Sequence, residues 1–187
     1  MHPLLTRYIE QFVVLGPEDW ALLAARAQVR HFERDAVLHQ RGTICEEIFF
    51  ITQGVVRHYH RLDDKEGIAW FTMAGELATD IQSFLSRTPG IQSLIASTEV
   101  YGFSITHAQL QELYDQSRAW ERFGRLSAEQ YILMLAERAN FMQFKSAREK
   151  YENLIKRKPD LLQQVSLGQI ASYLGITLET LSRIRGK

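Results

Sequence analysis

Eight side chains between positions 166 and 185 are candidates for hydrogen-bonding to a ligand: Ser166, Gln169, Thr177, Glu179, Thr180, Ser182, Arg183 and Arg185. Their spacing is that of two short helices. Ser166 followed three residues later by Gln169 is a capping box, which opens the first helix. Leu174-Gly175-Ile176 ends it, because glycine accepts the left-handed backbone of a tight turn. Thr177 caps the second helix, and Glu179 in its first turn suits the helix dipole. Ile170, Leu174, Ile176, Leu181 and Ile184 fall where the helices face one another, leaving Thr180, Ser182, Arg183 and Arg185 outward. Hydroxyls and guanidiniums on the free face of such a pair suit a major groove lined by phosphates and base edges. An ordinary helical hairpin with a solvated face is the alternative.

A second group of residues could hold a metal. His58 and His60 share one face of an extended segment, with Asp64 four residues beyond. Two imidazoles and a carboxylate make a facial iron site, as in a metal-dependent cupin-type enzyme. The competing reading puts both histidines on the solvent face of an amphipathic strand, with no metal and no catalysis. The only later histidine is His107, near a predicted helix. A single cysteine, Cys45, excludes an intrachain disulfide framework and any multi-cysteine zinc or iron–sulfur site within one chain.

The elements that must position these groups fall into three regimes. Residues 17–27 read as a short helix with Pro17 at its start. From about 28 to 105 the hydrophobic period is two, with strands expected at 31–34, 36–39, 48–51, 55–60, 68–72, 91–96 and 99–104. Many short strands at regular spacing suggest a small antiparallel roll. Beyond 107 the pattern is helical. Ala128, Ile132, Leu135, Ala139 and Met142 keep the 4-3-4-3 spacing of a coiled-coil seam, and Tyr131, Met134 and Phe141 form a second stripe interrupted by Arg138. Two stripes suggest two partners: a second copy of the helix on the regular seam, the roll on the interrupted one.

The 187 residues, 45% hydrophobic with three tryptophans, are enough for a real core. Net charge is zero, but it is unevenly spread. Residues 144–187 hold nine Lys or Arg against four acids, a net of +5, so the remainder carries −5. A basic piece on an acidic body is what phosphate attraction requires of a bipartite DNA binder. No apolar run approaches the ~20 residues of a membrane span, and no secretory segment opens the chain, so a cytoplasmic protein is expected.

Roll, long helix and C-terminal helix pair, in that order, resemble the Crp/Fnr family of bacterial transcription regulators. Gly42 with Glu47-Ile-Phe-Phe-Ile-Thr-Gln-Gly54-Val-Val-Arg57 is similar to the family's glycine-punctuated strands. Gly75-Glu76-Leu77 is similar to the start of its phosphate-binding cassette, and residues 169–185 to its helix-turn-helix. The resemblance implies an α+β fold: an N-terminal antiparallel cyclic-nucleotide-binding-like β-roll at 1–117, a dimerisation helix and hinge at 118–143, and a helix-turn-helix domain of winged-helix type at 144–187, with the C-terminal wing absent. It implies a homodimer on double-stranded DNA, RNA polymerase as a further partner, and no membrane. Glu179 would accept from a cytosine amino group and Arg183 would reach guanine, while Leu178 stands where many relatives have arginine.

For an effector, the resemblance gives Glu76 the ribose hydroxyl and leaves Arg87-Thr88 as the nearest candidate for a cyclic phosphate. That pair is about one position out of register and directly precedes Pro89-Gly90. The family's adenine-contacting Thr-Ser is missing from 128–142. Cyclic AMP, another effector or none are therefore the open readings. A stand-alone cyclic-nucleotide sensor acting through the long helix is the remaining alternative to a regulator.

Overall fold

The computed structural model describes the main chain of residues 2–62 and 65–186, and the side chains of these outside 61–66. The fold is α+β. Eight strands, β1 (Gln28–Phe32), β2 (Val37–His39), β3 (Glu47–Gln53), β4 (Val55–Leu62), β5 (Lys65–Met73), β6 (Leu77–Ala78), β7 (Gln92–Ala96) and β8 (Val100–Thr106), form two four-stranded sheets. Their orders are β1-β8-β3-β6 and β2-β7-β4-β5, with antiparallel pairing throughout. Phe49, Ile51, Val56, Leu94, Ala96 and Val100 fill the space between the sheets. Alternation along each strand sends these residues to one face, and burial of that face sets the register.

The chain passes from β3 to β4 through Gly54 at φ +92°, where an added Cβ would lie 2.2 Å from the Glu99 carbonyl oxygen. Only glycine meets both conditions. Helices α1 (Pro3–Glu10), α2 (Pro17–Ala24) and α4 (His107–Gln116) cover the β1-β8-β3-β6 sheet together with the start of α5 (Arg118–Phe144). Leu5, Ile9, Phe50, Leu113, Trp120 and Phe123 are buried there. A further six-residue helix, α3 (Ile81–Ser86), lies between β6 and β7.

Several elements depart from the sequence expectation. The first strand spans 28–32 because it pairs along β8, from Gln28↔Ser104 to Phe32↔Val100. The helix beginning at Pro17 therefore stops at Ala24. Helices α1 and α3 and strand β6 had no strong signal, since each is short and buries at most two residues.

Helix α5 runs for 27 residues and has two different faces. Tyr131, Met134, Arg138 and Phe141 are half-buried against the rest of the chain. Ala128, Ile132, Leu135 and Ala139 are exposed, Ile132 by 63%, while Met142 is half-buried. The helix ends at a C-cap on Lys145, and Ser146 opens α6 (Ala147–Arg157) with a capping box to Glu149. The short α7 (Leu161–Gln164), then α8 (Leu167–Leu174) and α9 (Leu178–Arg185), complete the chain.

These last helices do not stand apart. Leu154, Leu161, Ile170, Leu174 and Leu181 share one buried cluster with Val55, Ile68 and Phe71 of the roll. The chain boundary near residue 144 is thus crossed by a continuous core.

The Gly54→Ala variant should lose about 1–3 kcal/mol of stability, through strain plus the carbonyl clash. Gly75→Ala should lose less, because Gly75 has φ +89° but nothing within 4 Å of its added Cβ. Urea midpoints at unchanged slope would measure both.

Candidate nucleic-acid interface and roll interior

Helices α8 and α9 are built by their caps. Ser166 Oγ accepts from Gln169 N at 3.2 Å, and Ser166 N donates to Gln169 Oε1 at 3.0 Å. Gly175 ends α8 at φ +66°. Thr177 Oγ1 accepts from Thr180 N at 3.1 Å and starts α9. Leu181 is fully buried against Ile170 and Leu174. Leu178, Glu179, Ser182, Arg183 and Arg185 are exposed and Thr180 is half-buried. Ser166, Gln169 and Thr177 serve first as helix caps. Among the described residues Glu179, Arg183 and Arg185 enter no ion pair, so their charges face outward uncommitted.

The roll and the C-terminal helices meet at polar contacts on β5. The Arg138 guanidinium lies 4.9 Å from the Trp70 ring and 4.4 Å from the Tyr173 ring. It donates to the Ala69 oxygen at 2.9 Å and the Tyr173 oxygen at 3.4 Å. Lys158 Nζ reaches both Glu76 carboxylate oxygens, at 2.8 and 2.7 Å, and the Phe71 oxygen at 2.9 Å. Ser172 Oγ accepts from Ile68 N at 2.9 Å. These cation–π and charge-assisted contacts are half-buried, where they are stronger than in open solvent.

These contacts bear on the effector residues. Glu76 is committed to Lys158 and to Met73 N, the latter at 2.9 Å. Arg87 sits in the left-handed region at φ +57° as the C-cap of α3. Its guanidinium pairs with Glu46 and donates to the Cys45 and Phe84 carbonyls. The Thr88 hydroxyl bonds to Ser86 Oγ at 2.6 Å. Gly75 N donates to the Ile51 oxygen, and Leu77 pairs with Phe50 in β6. The acid and the arginine thus serve separate hydrogen-bond sets.

At the start of α3 stands Asp80, wholly buried, which accepts from Ser83 N and from Gln92 Nε2. Its carboxyl occupies the helix end where a phosphate would gain from free N–H groups. In this arrangement Glu76, Arg87 and Thr88 are engaged by partners within the chain, and Gly75 and Leu77 by backbone pairing with β3. The sequence offered no sign that Lys158 or Glu46 would claim Glu76 and Arg87, because both pairs are made across distant segments.

The roll interior holds a polar cluster that sequence reading missed. The unbonded Asp80 Oδ2 is 3.8 Å from His39 Nε2, which also lacks a hydrogen bond. His58 is buried, with Nε2 2.9 Å from Thr72 Oγ1. Burial pushes its pKa down to about 4, opposed by the Gln92 hydrogen bond and by Asp80, and assisted by Lys158 and His60. The solvent-face reading of His58 is therefore corrected. Val56 and His58 share the face of β4 that packs toward the other sheet, where Val56 meets Phe49 and Ile51, so that face is covered. His60 is half-buried. Asp64, the carboxylate of the cupin-type reading, lies outside the described residues. Among the described residues no three His, Cys, Asp or Glu side chains come together to hold a metal.

Residues 29–117 match the sequence model of the cyclic nucleotide-binding domain. The class defined by fold and comparison is a cyclic-nucleotide-binding-type roll extended by helices. In structure the chain is similar to FixK2 from Bradyrhizobium japonicum, with TM-score 0.73 and 18% identity over 86% of this chain and 83% of that one. It is similar to CLP, the c-di-GMP responsive global regulator of Xanthomonas campestris, with TM-score 0.69 and 16% identity over 91% and 90%. A protein of Eubacterium rectale assigned to the Crp/Fnr family of transcriptional regulators gives TM-score 0.69 and 14% identity over 91% and 82%. At these identities the likeness is one of fold. None of the curated proteins matches the chain.

His58 should make stability depend on pH. Its folded pKa lies below the ordinary 6.5, so the stabilisation is complete above that value and is lost as pH falls toward about 4. At roughly 1.4 kcal/mol per pH unit the full loss is about 3 kcal/mol. His58→Gln should flatten the difference in unfolding free energy between neutral and mildly acid solution by that order. An unchanged profile in the variant would assign the acid sensitivity to other groups.

Proposed function

We propose that the protein is a DNA-binding transcription regulator of the Crp/Fnr type, acting in the cytoplasm as a homodimer on a near-palindromic operator. The observation that carries this reading is α9, whose inner side is anchored by the fully buried Leu181 and whose outer row of Glu179, Ser182, Arg183 and Arg185 is free. A rigid helix with unpaired cations and hydroxyls outward suits phosphate contact and base readout. Following the resemblance, Glu179 reads cytosine and Arg183 guanine, and Thr180 and Ser182 lie near phosphate, with Ser166, Gln169, Thr177 and Arg185 as the further DNA-binding residues of this reading.

The exposed stripe of Ala128, Ile132, Leu135 and Ala139, continued by Met142, supplies the dimer seam of this reading. A monomer would leave that stripe in water along a 27-residue helix. Pairing would set the two α9 helices about one helical turn apart, roughly 34 Å. In this reading 1–117 is the sensor domain, 118–143 the dimer helix and hinge, and 144–187 the helix-turn-helix domain. RNA polymerase is the partner that the resemblance adds.

Selection from a random duplex pool should return a symmetric site. On that site Arg183→Ala should cost about 1–3 kcal/mol and relax one base position per half-site. A uniform loss on all sequences, with a smaller salt slope, would make Arg183 a phosphate contact instead. The Leu135→Asp substitution should halve the sedimenting mass and abolish tight operator binding. A dimer that survives it would move the interface elsewhere.

A further inference from the structure

A cleft of about 480 Å³ opens between the roll, α5, α6 and α8. The charge around it is unbalanced. Arg138, Lys150, Arg157 and Lys158 line it, against Glu76 and Glu137. Glu76 neutralises Lys158. Among the described residues no carboxylate lies within 4.0 Å of the cations of Arg138, Lys150 or Arg157. Lys150 and Arg157, seven residues apart, share one face of α6 with Asn153 between them. Lys150 and Asn153 are half-buried at the cleft, while Arg157, which also lines it, is exposed. Arg138 commits its charge to Trp70, Tyr173 and two backbone carbonyls. That leaves Lys150 and Arg157 as two uncompensated cations beside one partly enclosed space, repelling one another unless an anion enters.

The rest of the lining is aromatic and apolar. Trp70 stands on β5, Phe141 and Met134 on α5, and Tyr173 on α8. Trp70 and Tyr173 are already engaged by Arg138 and Lys158, so a bare inorganic anion would use the free cations and leave Phe141 and Met134 unused. A planar ring carrying phosphate would use both, with phosphate on guanidinium and ammonium groups and the ring on aromatic faces.

We propose that this cleft binds a nucleotide-class ligand, its phosphates held by Lys150 and Arg157 and its base packed against Phe141 and Met134, beside Trp70. The site is separate from the roll interior, where Asp80 turns phosphate away. It draws on the roll, the long helix and α6 together, so an occupant would fasten the C-terminal helices to the roll.

Calorimetric titration of the full chain with ATP, GTP, cyclic AMP and inorganic pyrophosphate tests this. At least one nucleotide should bind once per chain and quench Trp70 fluorescence, a signal that Trp70→Phe removes. Pyrophosphate should bind about tenfold more weakly. The double variant K150E/R157E should weaken nucleotide binding by about tenfold or more at an unchanged melting temperature. Asn153→Trp, which fills the cleft without changing charge, should do the same. The proposal is overturned if no nucleotide binds at millimolar concentration. It is overturned equally if binding survives both cleft variants, or if charge reversal weakens binding and filling does not. None of these readouts involves DNA, so the regulator reading can fail without touching this test.

Discussion

One guanidinium holds the two halves of this protein in register. Arg138 interrupts the inner apolar stripe of α5, and it does so where Trp70 of the roll and Tyr173 of α8 converge. An unpaired cation at a half-buried seam would be costly. Two aromatic faces and two backbone carbonyls offset that cost, and together they fix the geometry. Lys158 adds a second cation from α6, bridging to Glu76 and to the backbone of β5. The apolar cluster beneath these contacts runs without a break from Phe71 to Leu181. The placement of α9 relative to the roll therefore follows from contacts on β5.

That dependence changes the meaning of the roll. A strand sandwich of this kind can enclose a small ligand, but here its interior is occupied by Asp80, His39, His58 and Gln92. The acid that would greet a ribose faces outward to Lys158. A change at Trp70, Phe71 or Glu76 reaches α6 and α8 through one contact.

The basic character of the last 44 residues also divides by place. Lys145 and Arg148 are matched by Glu149 and Glu152 one turn on. Lys150, Arg157 and Lys158 turn to the cleft. Arg183 and Arg185 remain exposed on α9. A net charge of +5 reads in the sequence as a single attraction for DNA. In the fold it is spread over helix pairs, a cleft and an outward helix, and the outward helix is the part that the proposed reading gives to a duplex.

What the residues alone determined are the local features. The capping box at Ser166, the cap at Thr177 and the break at Gly175 depend on hydrogen bonds within a few residues, and each stands where its residues are. The two stripes of α5 were legible for the same reason, since a helix repeats on its own period. Long-range pairing was not legible. Nothing near Glu76 announces Lys158, nothing near Arg87 announces Glu46, and alternation along β4 cannot say which face is covered. His58 was therefore misread, and the Asp80–His39 pair and the cleft were not seen. Those are decided by which distant segments pack together, because burial and charge pairing are properties of the assembled surfaces and not of the local chain.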